Sequence, residues 1–329
     1  MSLLDRASKF MQDYECGAYF KRLTNNPEPH SFRKPPVIYY HKIFSSSSPV
    51  VTIVTPAFEQ EDNICKNISA IIKNCTMPFD WIFIDDGSTD ETLKVVSCLL
   101  RECRSPHLCE AVVLSNSTPI FETACDNMGF YISRTEIIIE VQADIFIEEP
   151  MFAEMAISVS LSHLRPSAIS GRCGHILGWV APSLQLPDKY RNMVQGVGLI
   201  GEKIEDLQLV SAIKGKIFRC ETVNRGPWIL RRSDLESVGF LDERNYFLGN
   251  DDHDFHVRLY KKTGRLPVYL PMTINSPISI GSTRKKKEGI NLEIFSLLKN
   301  TRKISGELIS FMQNYEPFQF PEAISVSIS

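Results

Sequence analysis

The chain has 329 residues, 43% of them apolar and 23% charged, a size and balance that fit one large globular α/β domain or two small ones. A net charge of −3 and a pI near 6.2 exclude the broad basic surface of a general nucleic-acid binder. No apolar stretch reaches the roughly 18–20 residues of a membrane span, and the nine cysteines form neither a C-x-x-C pair nor a disulfide framework.

Residues 1–48 carry Pro27, Pro29, Pro35 and Pro36, end in Ser45-Ser46-Ser47-Ser48, and read as an N-terminal extension and Ser-rich linker. The start lacks the basic and apolar regions of a signal peptide. With the scattered thiols, that points to a reducing, cytoplasmic location, where the sequons at Asn67, Asn74 and Asn116 carry no glycan.

Val50–Thr55 is then an apolar run of strand length, stopped by Pro56. Glu61 to Asn74 places Ile64, Ile68, Ile71 and Ile72 at helical spacing. Trp81–Asp85 reads as the next strand and Asp90–Arg101 as the next helix, with Leu93, Val96 and Leu100 on one face. Ala111–Leu114 and Ile137–Val141 are two more strands around a helical stretch at 121–133. Strands alternating with helices, each strand apolar on both faces, predict a mainly parallel sheet. The division expected is a nucleotide-binding half over 49–149 and a less regular second half over 150–275. Beyond these lie a basic loop and an amphipathic helix within 276–329. The second half contains helices near 151–163, 233–239 and 251–263 and a short strand at Pro267–Leu270.

Four polar clusters fall at strand ends or helix starts, where open α/β sheets bind ligands. At Pro56-Ala57-Phe58-Glu59, the glutamate either accepts hydrogen bonds from a ligand or caps the next helix. Asp85-Asp86, delivered by Trp81-Ile82-Phe83-Ile84 and followed by Gly87-Ser88-Thr89-Asp90-Glu91-Thr92, reads as a ligand-binding corner. A dehalogenase-type phosphatase is excluded because Ile84 stands where its nucleophile belongs. Glu140, Gln142 and Asp144 share one side by strand periodicity. Asp144 either caps a turn or holds Mg²⁺ or Mn²⁺. Gly249-Asn250-Asp251-Asp252-His253-Asp254 opens a helix. Its acids satisfy the helix dipole, or crowd one another toward the raised pKa of a general base. His253 and His256 are either metal ligands or polar surface.

The order of these pieces resembles the family 2 glycosyltransferases of the GT-A fold, over roughly residues 49–272. Ile84–Thr92 is similar to their V-D-D-G-S-x-D-x-T segment, and Val51–Glu59 to their first strand and corner. Ala124-Cys125-Asp126-Asn127-Met128-Gly129 is similar to their A-x-N-x-G helix, and Gln142-Ala143-Asp144 to their D-x-D motif. Gly239-Phe240-Leu241-Asp242-Glu243 and Gly249–Asp252 are similar to their G-G-F-D-E and E-D segments. The resemblance implies a Rossmann-like, mixed but mainly parallel sheet flanked by helices in a single major domain.

It also implies a nucleoside-diphosphate sugar donor, with UDP the expected nucleotide, and transfer of one sugar with inversion to a hydroxyl acceptor in glycan biosynthesis. Pro56, Ala57, Phe58, Glu59, Asp85, Asp86 and Asn127 would bind the donor nucleotide, and Asp144 the metal. Asp252 would be the base, with Asp251 its neighbour in reserve. Trp228 would position sugar or acceptor, or else lie in the core. Arg284 and Lys285, in Gly281–Lys287, would neutralise the diphosphate. The acceptor could be a glycan, a lipid-linked group or a protein, and the same basic run could meet an anionic membrane surface peripherally. Gln142 replaces the first acid of the D-x-D motif, which keeps open a binding module without catalysis. A sugar-nucleotidyltransferase fits less well, because residues 55–63 contain no Gly, Arg or Lys.

Overall fold

The computed structural model describes residues 1–25, 33–162, 164–172, 174–175, 216–220, 222–246, 249, 251–276 and the short strand at 324–325. Helix α1 (Leu3–Glu15) precedes strand β1 (Val37–Ile43). Strands β2 (Val51–Ala57), β3 (Phe79–Asp85), β4 (Leu108–Ser115) and β5 (Ile137–Glu140) alternate with helices α2 (Ile64–Asn74), α3 (Thr92–Glu102) and α4 (Glu122–Ile132). The second half supplies β6 (Phe146–Ile147), α5 (Phe152–Leu161), β7 (Ile169–Ser170), β8 (Gly174–His175), β9 (Lys216–Arg219), β10 (Thr222–Val223) and β11 (Trp228–Arg231). There follow α6 (Arg232–Val238), α7 (Asp251–Thr263), β12 (Val268–Tyr269), β13 (Ile274–Asn275) and β14 (Ile324–Ser325).

Among the described residues the main sheet has ten strands, in the order β1-β4-β3-β2-β5-β11-β7-β12-β9-β14. Strands β4, β3, β2 and β5 run parallel, and β1 and β11 flank them antiparallel. The expected mixed, mainly parallel α/β architecture is therefore present, and one sheet continues from the first half into the second through the β5–β11 pair.

Every residue of β2 and β3 is buried, because helices cover both faces. Val54, Ile82, Ile84, Val112 and Leu114 pack toward α1 and α4. Val51, Ile53, Trp81, Phe83 and Val113, offset by one residue, pack toward α2, α3 and α5. Gly129 lets α4 lie close on β2, since a β-carbon there would collide with Val54.

Residues 1–25 depart from the expected extension. Ser2 and Asp5 form a reciprocal capping box, and Leu3, Ala7, Phe10 and Tyr14 occupy one buried stripe of α1. The first backbone amides of that helix, Leu3 and Leu4, donate to the Glu110 carboxylate of β4 at 3.0 and 3.1 Å. Burying each large apolar side chain contributes about 1.5–3 kcal/mol, enough to dock a helix that composition alone assigns to a tail. The expected helix at 290–313 lies outside the described residues. Among the described residues no helix is long and apolar enough to cross a membrane.

Candidate active site

The parallel register brings the ends of three strands together, with Ala57 beside Asp85 and Asp85 beside Ser115. Asp85 is fully buried and accepts from the Ser88 amide and the Ser115 hydroxyl, both at 3.3 Å. The carboxylate of Asp86 accepts from Asn116 Nδ2 at 3.0 Å and from the Ile120 and Phe121 amides at 2.8 Å. Burial raises both carboxyls above their usual range, against the pull of these donors. Asp86 thus fixes the loop at 116–121, and its small remaining exposure, 6%, is what it presents outward.

Gly87 has a left-handed φ of 71°, and a β-carbon there would press on the Thr118 carbonyl carbon at 3.0 Å. Glu59 also has a positive φ, 50°. Its amide donates to Ser88 Oγ at 2.9 Å, and its carboxylate accepts from Thr89 Oγ1 at 3.1 Å. Phe58 and Glu59 are half-buried and Thr89 is exposed, so this side of the corner is open to a ligand.

A second centre lies where α4, the end of β5 and the start of α7 converge. Glu122 and Asp126 are one turn apart on α4, Glu140 ends β5, and Asp251 and Asp252 open α7. Arg225 reaches among them: its guanidinium lies 2.6 Å from Asp126 and 3.4 Å from Glu122, and it pairs with Asp251. Asp251 also accepts from Thr123 Oγ1 at 2.8 Å. Glu140 accepts from the Gly226 amide at 3.0 Å.

Burial opposes the charge on Arg225, but Glu122, Asp126, Asp252 and Glu140 outweigh it and keep the guanidinium protonated. One buried cation cannot balance so many acids. Burial, reinforced by Glu122, pushes Glu140 up to about 8 despite Arg225, and burial likewise raises Asp126.

Asp252 behaves in the opposite way to the crowded acid expected from sequence. Burial pushes its carboxyl up, but the positive fields of His253, Arg225 and His256 together hold it below its ordinary value. Its carboxyl lines a cleft of about 220 Å³, with Glu122, Gln142, Arg172, Arg225 and His253 in the walls. Gln142 bridges that wall: its Nε2 donates to Glu122, and its Oε1 accepts from Arg172 Nη1 at 3.4 Å.

The strand ends at Glu140, so the expected alternation through Gln142 and Asp144 breaks and Asp144 sits half-buried on the following turn. Glu122, Asp126 and Glu140 bring carboxylate oxygens within 4.8 Å of one another. Glu140 Oε1 and Asp126 Oδ1 are buried without a hydrogen-bond partner. An all-oxygen donor set with orphaned acceptors fits a hard divalent cation in kind, although Arg225 already supplies one positive charge there.

Burial bears on two sequence expectations, removing Asn127 from the nucleotide contacts and selecting the core alternative for Trp228. Asn127 is fully buried: Nδ2 donates to the Leu241 carbonyl and to Glu243, both at 2.9 Å, while Oδ1 accepts from the Leu241 amide at 2.9 Å. Its side chain is consumed in stitching α4 to the Gly239–Glu243 segment, leaving none of it for a nucleotide. Trp228 is also fully buried, edge-on to Phe255 at 5.3 Å and to His256 at 5.5 Å. It supports α7 from beneath and presents no face to a sugar. Arg284 and Lys285 lie outside the described residues.

Sequence reading missed Glu122, Arg172 and Arg225 as site residues. Arg225 lies 99 positions from its partner Asp126, and such a pairing has no periodic or spacing signal.

A model of the family described as glycosyltransferase like family 2 matches residues 51–276. No curated protein matches the chain. Among solved structures, TarS of S. aureus is 16% identical with a TM-score of 0.44, over 70% of this chain and 37% of TarS. The Pyrobaculum calidifontis mannosyltransferase PcManGT, in complex with GDP-Man and Mn²⁺, is 13% identical with a TM-score of 0.48, over 82% of this chain and 67% of that one. GalNAc-T7 with UDP, GalNAc and Mn²⁺ is 12% identical with a TM-score of 0.49, over 70% of this chain and 44% of that one. The chain therefore spans less than half the length of TarS and of GalNAc-T7.

Proposed function

The chain belongs to the glycosyltransferase-like family 2, a family of transferases, and we propose that it moves a single sugar from a nucleoside-diphosphate donor to a hydroxyl acceptor with inversion. The observation that carries this reading is the placement of Asp252, a carboxylate at the start of α7 in the wall of the cleft with Glu122, Gln142 and Arg172. In the reaction, the acceptor O–H gives its proton to Asp252 as its oxygen attacks the anomeric carbon. The bond from that carbon to the diphosphate oxygen breaks, and the electron pair leaves with the nucleoside diphosphate. A base on one side and a leaving group on the other give one displacement and inverted configuration.

Asp251 is not the spare base, because Arg225 and Thr123 already engage it. Its work is to hold the start of α7 so that Asp252 faces the cleft. Pro56, Ala57, Phe58 and Glu59 line the donor nucleotide corner, and Asp85 and Asp86 keep its loops in place. The departing diphosphate needs positive charge, and the cleft wall sets Arg172 and Arg225 beside Glu122 and Asp252. Arg172, tethered to Gln142, offers it from the wall, and we assign Arg284 and Lys285 to the same task. Mn²⁺ or Mg²⁺, held by Asp144 or by the gathered oxygens of Glu122, Asp126 and Glu140, would add Lewis-acid stabilisation of the leaving diphosphate.

The rival reading, a nucleotide-sugar or glycan binding module without catalysis, draws on Gln142 in place of an acid. A thermal-shift panel of nucleoside-diphosphate sugars with Mn²⁺ tests the donor assignment. A ligand bound only by the folded state raises its apparent stability, so one donor, expected to be a UDP-sugar, should stand out. A flat panel would refute the donor assignment, whereas a shift without any transfer would favour the binding module.

A further inference from the structure

At the far end of β11 from the cleft lies a cavity of about 380 Å³ whose wall includes three arginines. The β11–β5 register fixes its distance from the chemistry: Trp228 pairs with Glu140 at the cleft end, while Arg231 pairs with Ile137 at the opposite end. Arg165, Arg231 and Arg265 line the cavity with Ser160, Ser233 and Asp234.

The three guanidiniums are only partly used. Arg165 is exposed and has no side-chain partner among the described residues. Arg231 spends Nη2 on the Ser160 carbonyl, but its Nε is buried with no hydrogen-bond partner. Arg265 pairs with Asp234, leaving most of its five N–H donors uncommitted. Against these cations the wall holds one carboxylate, Asp234, and the nearby Glu136 is exposed and accepts from Ser233 Oγ. A buried guanidinium N–H without an acceptor is costly, and adjacent guanidiniums repel one another unless an anion separates them.

We propose that this arginine cavity is a second ligand site, separate from the transfer cleft, that binds the phosphoryl group of a phosphate ester. Planar guanidinium forks match the oxygens of a phosphoryl group and can engage it two donors at a time. The volume is on the order of ten waters, more than a bare oxyanion fills, so it accommodates the organic part of an ester as well. A soluble phosphate ester and an anionic lipid headgroup present the same chemistry. The site's role is independent of the transferase reading, since none of its residues reaches the acid cleft.

The test uses the full chain and two probes: inorganic pyrophosphate by calorimetry, and vesicles of phosphatidylglycerol in phosphatidylcholine by co-sedimentation. Each is run with the wild type, Arg165→Glu and Arg231→Lys. Arg165→Glu alters an exposed side chain with no partner, so it should fold normally while weakening the responding probe at least tenfold, the scale of one charge-assisted hydrogen bond. Arg231→Lys, which keeps the charge and removes the fork, should weaken it less. Pyrophosphate binding lost in Arg165→Glu identifies a soluble ester, and vesicle binding lost in that variant identifies a headgroup. Binding in neither arm, or binding that is the same in wild type and Arg165→Glu, overturns the proposal.

Discussion

Arg225 and Asp251 form a buried ion pair next to the residue that faces the cleft, and the same guanidinium also holds Asp126. The pair joins the loop before β11 to the start of α7 and leaves Asp252, one position on, directed at the cleft. Replacing Arg225 by Met would strand Asp126, Asp251 and Glu122 together without a counter-charge. Removing one partner of a buried pair costs about 3–5 kcal/mol. Urea denaturation of Arg225→Met should show a loss on that scale, and a change below about 1 kcal/mol would contradict the role given to the pair.

Asn127 makes a prediction that separates scaffold from ligand contact. Its amide bonds to Leu241 and Glu243 should make Asn127→Ala destabilising by about 1–3 kcal/mol, the cost of leaving buried polar groups unpaired. Nucleotide affinity, measured by calorimetry at a temperature where the variant is folded, should stay within about twofold of wild type, under 0.5 kcal/mol. A variant of undiminished stability that fails to bind nucleotide would return Asn127 to the donor pocket.

Glu140 gives the fold a pH dependence of definite sign. Its folded pKa, about 8, lies above the ordinary 4.5, so the folded state holds this proton more tightly than the unfolded chain does. Stability contributed by the neutral form is therefore present below the unfolded value and is lost as pH rises toward the folded one. Denaturation midpoints should fall between roughly pH 4.5 and 8. Glu140→Gln, neutral throughout, should flatten that slope, and an unchanged slope would reassign it to another group.

The charge balance at Asp252 is testable through His253. His253 is the first of the neighbours whose fields outweigh burial and depress the Asp252 carboxyl. In His253→Gln the acidic limb of kcat/KM should move to higher pH, because the carboxylate then takes up its proton sooner as pH falls. An acidic limb that stays in place, or moves to lower pH, would contradict the assignment.

The central architecture was legible because its physics is local. Strands buried on both faces appear as continuous apolar runs, as in Val51–Ala57 and Phe79–Asp85, and helices such as Ile64–Asn74 show their period directly. Strand β1 was not legible: it lies at the sheet edge, with Val37, Tyr39 and Ile43 exposed, so its pattern of apolar and polar residues has no buried face to report. Helix α1 carried a readable stripe, but the prolines and serines that follow it dominated the composition of the first 48 residues. The acid corner at Asp85-Asp86 was found, but not the loop contacts of Asp86, which accepts from the Ile120 and Phe121 amides and so holds the loop at 116–121. Arg225 was out of reach, because an ion pair between residues a hundred positions apart depends on a fold and leaves no mark on spacing.

Asp252→Asn, assayed for both donor binding and sugar transfer, tests the assigned base most directly. Loss of a general base should lower kcat by roughly 10²–10⁴-fold, with donor affinity near wild type because Asp252 acts on the acceptor. Transfer at the wild-type rate by a folded, donor-binding Asp252→Asn protein would contradict the central claim.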